Sequence, residues 1–214
     1  MTTKRASRFT REDFIAVCCA IATMSIIVSN IIVNKQFDFF GFALPAAVML
    51  IPVDYIIGDV VAEVFGFRAA SHVIILAFLM NTFAVMFYLI AIALPSYPTF
   101  TAQASFEAVL GTTPRILFAS LSAFAAGSLL NAKVMQVMHK RDGEARLAWR
   151  CILSTLVGEG LDTAMFALLA FVGVVPWDVI GQMIILHTIA KVTIETVLYA
   201  LATRHIIRWA KTLS

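Results

Sequence analysis

The stretch Ala69–Leu94, AASHVIILAFLMNTFAVMFYLIAIAL, decides the fold class of this chain. It runs for 26 residues without an aspartate, glutamate, lysine or arginine. A helix needs about 20 consecutive apolar residues to cross the ~30 Å hydrocarbon layer of a bilayer. Asn81 and Tyr88 are seven residues apart and so share one face of such a helix. The stretch therefore predicts a membrane-spanning helix with one polar stripe.

Further apolar stretches of similar length lie on both sides of this one. Only 14% of the residues are charged and the mean hydropathy is +0.91, whereas a soluble domain carries roughly 25% charged residues. We predict an all-α membrane protein with one domain over residues 14–207, between tails 1–13 and 208–214. It crosses the bilayer about six times, at Phe14–Asn34, Phe42–Phe65, Ala69–Leu94, Pro114–Met138, Leu147–Val174 and Val179–Ile207.

The distribution of basic residues predicts the orientation, because cytoplasmic loops carry an excess of lysine and arginine. With six crossings, one side holds only Lys35 and Arg115. We therefore predict that both termini are cytoplasmic. The basic residues on that side are Lys4, Arg5, Arg8, Arg11, Arg68, Lys140, Arg141, Arg146, Arg204, Arg208 and Lys211.

An internal repeat is a hypothesis with two readings. Asp59 and Glu63 are echoed by Glu159 and Asp162 about a hundred residues further on. A three-helix unit that occurs twice must be inverted, and inverted repeats are common in transporters, with the binding site at their interface. The alternative is a chance self-match in a chain rich in leucine and alanine.

Among the charged residues inside the predicted spans, seven stand out, and each would cost about 2.5–3.5 kcal/mol at a helix centre. Lys133, Arg150 and Arg115 lie nearer the helix ends. The seven must therefore face the inside of the helix bundle. Spacings of three or four residues place neighbouring ones on one helix face. With six acids and one base, the interior favours a cation, a proton or a ligand rich in N–H donors. The seven are Asp54, Asp59, Glu63, Glu159, Asp162, Lys191 and Glu195.

Several of these residues also have purely structural interpretations. Glu63, like Asp59, lies near the cytoplasmic end and could simply pair with Arg68. Lys191 could pair with Glu195 one turn away, and Asn81 could hydrogen-bond between helices. A lone buried histidine such as His187 is usually a satisfied polar group.

No enzyme signature is present. We find no His-Glu-x-x-His motif, no Gly-x-Ser-x-Gly elbow and no phosphate-binding loop. Cys18, Cys19 and Cys151 have no metal-ligand spacing, and a net charge of +3 is no nucleic-acid signal. We predict no catalytic residue, cofactor, metal or directly bound nucleic acid, and partners limited to a small solute and the bilayer. A homodimer is compatible with the sequence.

Two groups of residues resemble the queuosine precursor transporter family, also called the vitamin uptake transporter family. The first follows Ser29, Asn30 and Lys35 and reads Pro52-x-Asp54-Tyr55-x-x-Gly58-Asp59-x-x-x-Glu63-x-Phe65-Gly66-Phe67-Arg68. The second comprises Gly127-Ser128, Trp149-Arg150, Ser154-Thr155, Gly158-Glu159, Asp162-Thr163, Lys191 and Glu195. The resemblance extends over nearly the whole chain.

The resemblance implies a multi-pass bacterial inner-membrane importer of 7-deazaguanines for tRNA modification, such as 7-cyano-7-deazaguanine, 7-aminomethyl-7-deazaguanine or queuine. A carboxylate could accept the adjacent N–H groups of a guanine-like edge, with Glu159 or Asp162 as the favoured acceptor. The carbonyl of the base needs a donor, which Lys191, Arg150 or Asn30 could supply. Phe83, Tyr88 or Phe166 could stack on the ring. The predicted substrate-binding residues are Asn30, Asp59, Glu63, Asn81, Arg150, Glu159, Asp162, Lys191 and Glu195.

The main alternative is a substrate-binding subunit of an ATP-driven vitamin uptake complex, which would also have about six helices. Ala16 and Ala20 have the Ala-x-x-x-Ala spacing of a helix contact face, although small residues four apart are frequent in membrane helices. An intramembrane enzyme and an ion channel are weaker alternatives, because no nucleophile–base arrangement and no repeated rings of charge are present.

Overall fold

The computed structural model describes residues 10–142, 147–198, 201–202 and 204–212 of the chain. Most of these residues are helical, which confirms the predicted helical character. In chain order the elements are α1 (Arg11–Ile32), β1 (Gln36–Phe39), β2 (Phe42–Pro45), a 3-10 turn (Ala46–Leu50), α2 (Ile51–Phe65), α3 (Phe67–Ala93), α4 (Gln103–Leu110), α5 (Thr113–Asp142), α6 (Leu147–Phe171), α7 (Trp177–Leu198) and α8 (Arg204–Ala210).

Four helical stretches of the described chain are long and apolar enough to cross a membrane. They are Arg11–Ile32, Arg68–Ala93, Gln103–Leu130 and Trp177–Ile194. Each of the six predicted spans contains a helix, but α2 has only 15 residues and several side chains of α6 lie outside the described part. The chain is thus a membrane protein with at least four candidate spans. Six crossings, the inverted repeat and the tail boundaries stay predictions.

The start of the second predicted span is wrong, because the chain forms an antiparallel hairpin there. Strands β1 and β2 pair from Gln36 opposite Pro45 to Phe39 opposite Phe42. Phe40 and Gly41 form the two-residue turn, both with positive φ, as a type I′ turn requires. The Gly41 N–H donates to Asp38 Oδ1 at 2.7 Å. The apolar residues after Gly41 therefore continue a strand and not a helix.

Helix α2 is too short to cross the hydrocarbon layer by itself. Its 15 residues correspond to about 22 Å, well short of the ~30 Å hydrocarbon layer. Pro52 lies in its first turn, where a missing N–H is tolerated, so this proline starts the helix and does not kink it. The preceding hairpin contacts α7 through β2, and the 3-10 turn contacts α1. Non-helical backbone at membrane depth survives only where protein or a cavity surrounds it.

Both described ends of the chain meet at one end of the bundle. The Phe14 ring stacks on Phe65 at 6.1 Å and meets Trp209 edge-on at 5.5 Å between ring centroids. The Arg11 guanidinium donates to the Val64 carbonyl at 3.0 Å. The start of α1, the end of α2 and α8 are therefore joined here. That this end faces the cytoplasm stays a prediction.

The opposite end is closed by an apolar core that joins four helices. Val33, Ile116, Phe171 and Ile180 are buried in it. Arg115 Nε donates to the Leu169 carbonyl at 2.7 Å, and its Nη2 donates to the Val172 carbonyl at 2.6 Å. A cation beside the last carbonyls of α6 complements the helix dipole. The polar residues of the middle of α6 and α7 thus lie between two packed ends.

Candidate functional site

An ion-paired triad lies where the middle of α6 faces α7. Lys191 Nζ donates to Glu159 Oε2 at 3.0 Å and to Asp162 Oδ2 at 2.6 Å. The two acids are three residues apart and share a face of α6, which lets one ammonium reach both. The exposed fractions of the side chains are 16% for Lys191, 26% for Glu159 and 21% for Asp162. The triad is therefore largely buried but not sealed, and its ionised form has a net charge of −1.

Gly127 of α5 allows the close helix packing that positions the triad. A Cβ atom added at this glycine would lie 2.8 Å from Asp162 Cβ and 2.8 Å from the Gly158 carbonyl oxygen. Carbon atoms in contact prefer about 3.5–4.0 Å. No larger side chain fits unless α5 and α6 separate. Glycine here lets α5 lie directly against the backbone that carries Asp162, as small residues do at membrane helix interfaces.

Two further residues border the triad from other directions. Asp54, in the first turn of α2, lies beside Ser25 of α1 and interacts electrostatically with Lys191. His187 lies one turn before Lys191 on α7 and also interacts with it. Its Nε2 atom is buried and has no hydrogen-bond partner within the described ranges. The interpretation of His187 as a satisfied polar group thus finds no support at Nε2 among the described residues.

Two predicted site residues are buried amides on other helices. Asn81 of α3 is fully buried, and in the described part of the chain neither its Nδ2 nor its Oδ1 has a hydrogen-bond partner. Asn30 of α1 is 5% exposed, and its Nδ2 is also unpartnered. Within the described residues, no hydrogen bond joins either amide to the triad or supports a bridging role for Asn81. Both remain candidates for contact with a bound solute.

Glu63 lies apart from the triad. Its Oε1 accepts from Lys211 Nζ at 2.5 Å, at the end of the bundle where the chain ends meet. More than half of each side chain is exposed, so the pair contributes little to stability. Glu63 thus forms an ion pair near the end of the bundle, as its structural interpretation predicted, but its partner is Lys211 and not Arg68. The other predicted residues, Asp59, Arg150 and Glu195, lie outside the residues whose side chains the structure describes.

A groove elsewhere on the bundle has a different character. It measures about 480 Å³ and lies on α1 beside α3. Its walls are almost entirely apolar, which suits lipid tails or another helix better than a polar solute. The triad is therefore the candidate functional site, and this groove is not. The groove is lined by Cys19, Ala20, Thr23, Met24, Ile27, Val28 and Leu76.

Comparison with known proteins now adds independent information. A model of the family described as "Putative vitamin uptake transporter" matches residues 45–204. The chain belongs to this family. A protein of Bacillus subtilis (strain 168) named "Probable queuosine precursor transporter" is 27% identical over 154 residues, which are 71% of this chain and 66% of the relative. No solved structure matches the chain.

Membership of the vitamin uptake transporter family supports a transporter role for the chain. The matched residues include all three members of the triad, the buried Asn81 and the glycine that packs against Asp162. They begin at Pro45, so α1 with Ser25 and Asn30 lies outside the match. The family resemblance noted in the sequence is thereby confirmed.

Proposed function

We propose that the chain is a carrier for queuosine precursors, the 7-deazaguanines that are used for tRNA modification. It would import them across a bacterial inner membrane that it crosses several times, with both termini in the cytoplasm. Family membership and the name of the Bacillus relative support this assignment. The observation that carries it is the partly open triad, in which Lys191 bridges Glu159 and Asp162.

The chemistry of the triad suits a guanine-like edge. Such an edge presents adjacent N–H donors next to a carbonyl oxygen. Each ionised carboxylate has about four acceptor positions, and Lys191 uses only one on each of Glu159 and Asp162. Either acid can therefore accept solute N–H groups while the ammonium stays in place. An N–H bond to a carboxylate is shorter and stronger than a neutral one.

Access to the triad supports carriage over a purely structural role. A dry, tightly packed cluster would leave no room for a solute and would contradict the proposal. The side chains of Glu159 and Asp162 instead keep about a quarter and a fifth of their surface. Among the aromatic residues considered for stacking, Phe166 lies four residues beyond Asp162 on α6 and contacts Phe171. Phe83 is largely exposed and contacts Phe87, so Phe166 is the better placed ring.

Uptake by the purified chain tests this function. We would reconstitute the protein in proteoliposomes and measure entry of labelled 7-cyano-7-deazaguanine. Glu159→Gln removes one charge of the triad and should abolish uptake while the protein still inserts. Glu12→Gln is the matched control, because Glu12 is exposed in the first turn of α1. Undiminished uptake by Glu159→Gln would show that this carboxylate does not bind the solute.

The second candidate is a substrate-binding subunit of an ATP-driven vitamin uptake complex. The apolar groove on α1 favours it, because Ala20 lines this groove and Ala16 lies one turn earlier. Such a groove could receive a helix of an energising partner. The proteoliposome experiment separates the two functions. Uptake by the chain alone supports the carrier, whereas solute binding without uptake supports the subunit.

A further inference from the structure

Three neutral polar atoms near the triad are buried and have no hydrogen-bond partner among the residues that the structure describes. They are Thr163 Oγ1 on α6, and His187 Nε2 and Thr188 Oγ1 on α7. Thr163 as a whole residue is 2% exposed. Buried polar groups are nearly always hydrogen-bonded, and a group left unpaired costs stability. Three such atoms on two neighbouring helices therefore require an explanation.

Helix geometry places these three atoms in one layer beside the triad. A short connection, residues 172–176, joins α6 to α7, so the two helices run antiparallel. Lys191 is level with Glu159 and Asp162, which it contacts. Residues 187–188 lie about one turn before Lys191 on α7, which is ~6 Å along the helix axis at 1.5 Å per residue. Because α6 runs in the opposite direction, the same distance from Glu159 along α6 leads toward its C-terminal end and reaches Thr163.

We propose that Thr163, His187 and Thr188 form a neutral hydrogen-bonding subsite that completes the solute site. His187 Nε2 donates to the carbonyl oxygen of the bound base, while Glu159 or Asp162 accepts the neighbouring N–H groups. This inference rests on the proposed carrier function and adds the basis of its selectivity. Neutral imidazole has one donor and one acceptor nitrogen, so the assignment requires the tautomer with its proton on Nε2.

The charges of the side chains determine which of them can bind each part of the base. A carboxylate accepts hydrogen bonds and repels a carbonyl oxygen, so Glu159 and Asp162 cannot bind that part of a guanine-like edge. The donor must come from elsewhere, and the two acids already take two of the three N–H groups of the Lys191 ammonium. His187 lies one turn away, and no described residue forms a hydrogen bond with its Nε2. A base with an amino group in place of the carbonyl would present hydrogen to hydrogen there and be rejected.

Substitutions at His187 test the proposal through selectivity and not only through activity. Gln places a side-chain nitrogen near the position of Nε2, Asn places one near Nδ1, and Leu removes both. We would measure KM and Vmax for uptake of 7-cyano-7-deazaguanine into proteoliposomes, with the 6-amino analogue of this base as competitor. His187→Leu and His187→Asn should raise KM about tenfold, the worth of one lost hydrogen bond. His187→Gln should stay within about threefold of the unaltered protein, and Thr163→Val should also raise KM.

The competitor distinguishes contact with the solute from a structural role. The unaltered protein and His187→Gln should prefer the carbonyl-bearing base, and His187→Leu should lose part of that preference. The rest arises at the carboxylates, because N1 of the 6-amino analogue carries no hydrogen to donate to Glu159 or Asp162. A role in folding, or in holding an ordered water away from the solute, would leave the preference unchanged in His187→Leu, and this result would overturn the proposal. Equal KM values for His187→Gln and His187→Asn would overturn it too. If the unaltered protein takes up no 7-deazaguanine, the carrier function itself fails, which is a separate result.

Discussion

Gly127→Ala should loosen the contact between α5 and α6 and move Asp162 away from Lys191. The new methyl carbon would start 2.8 Å from both Asp162 Cβ and the Gly158 carbonyl oxygen. Relief to ~3.5 Å requires a separation of about 0.7 Å. Asp162 Oδ2 now lies 2.6 Å from Lys191 Nζ, so a shift of this size is enough to stretch that hydrogen bond beyond its usual range.

The expected cost is about 1–3 kcal/mol of unfolding free energy, as for other overpacked contacts. Thermal unfolding in detergent would measure the loss of stability, and proteoliposome uptake would measure the effect on the site. Gly160→Ala is the matched control on α6, because nothing lies within 4 Å of a Cβ added there. Alanine forms helices better than glycine, so the control should be neutral or slightly stabilising.

The same substitution is made in both variants, and the two sites differ in the space available for the new methyl group. Gly127→Ala should lower both Tm and uptake, and Gly160→Ala should lower neither. If the two variants unfold at the same temperature and transport equally well, the close approach of α5 to Asp162 does not position the triad.

Two further substitutions test the ion pairs. Lys191→Met should destabilise the protein by about 3–5 kcal/mol, because it leaves Glu159 and Asp162 as unpaired, largely buried charges; the double variant Lys191→Met with Glu159→Gln should recover part of the Tm, and failure to recover any would argue against this charge balance. Glu63→Gln breaks only the exposed pair with Lys211, so it should change the free energy of unfolding by less than ~1 kcal/mol and leave uptake intact. A loss of uptake at normal stability would instead indicate that Glu63 belongs to the solute site.

The polar residues of the site could be predicted better than their partners. The cost of charge in hydrocarbon predicts that Glu159, Asp162 and Lys191 avoid lipid, and their spacing predicts a shared face on α6. The structure brings these three together. Spacing along one helix, however, suggested Lys191 with Glu195, and nearness in sequence suggested Glu63 with Arg68. The observed partners lie on other helices, where contact depends on helix rotation and register.

The hairpin before α2 could not be predicted because hydropathy does not distinguish an apolar strand from an apolar helix. The turn sequence did not indicate a hairpin either, because type I′ hairpin turns favour Asn-Gly or Asp-Gly and this turn is Phe-Gly. A bulky residue with positive φ is uncommon, and Phe40 has φ 53°. The free Nε2 of His187 was missed for a related reason. Whether a buried nitrogen has a partner depends on neighbouring helices that a single sequence does not position.

The triad also constrains how the chain is made. Asp162 leaves the ribosome 29 residues before Lys191. During that interval α6 contains two carboxylates without their ammonium partner, and releasing it alone into lipid would cost about 5–7 kcal/mol. We therefore expect the insertion machinery to retain α6 until α7 has been synthesised. The two helices would then enter the bilayer as a pair, already neutralised in part by the contact between Lys191 and the two acids.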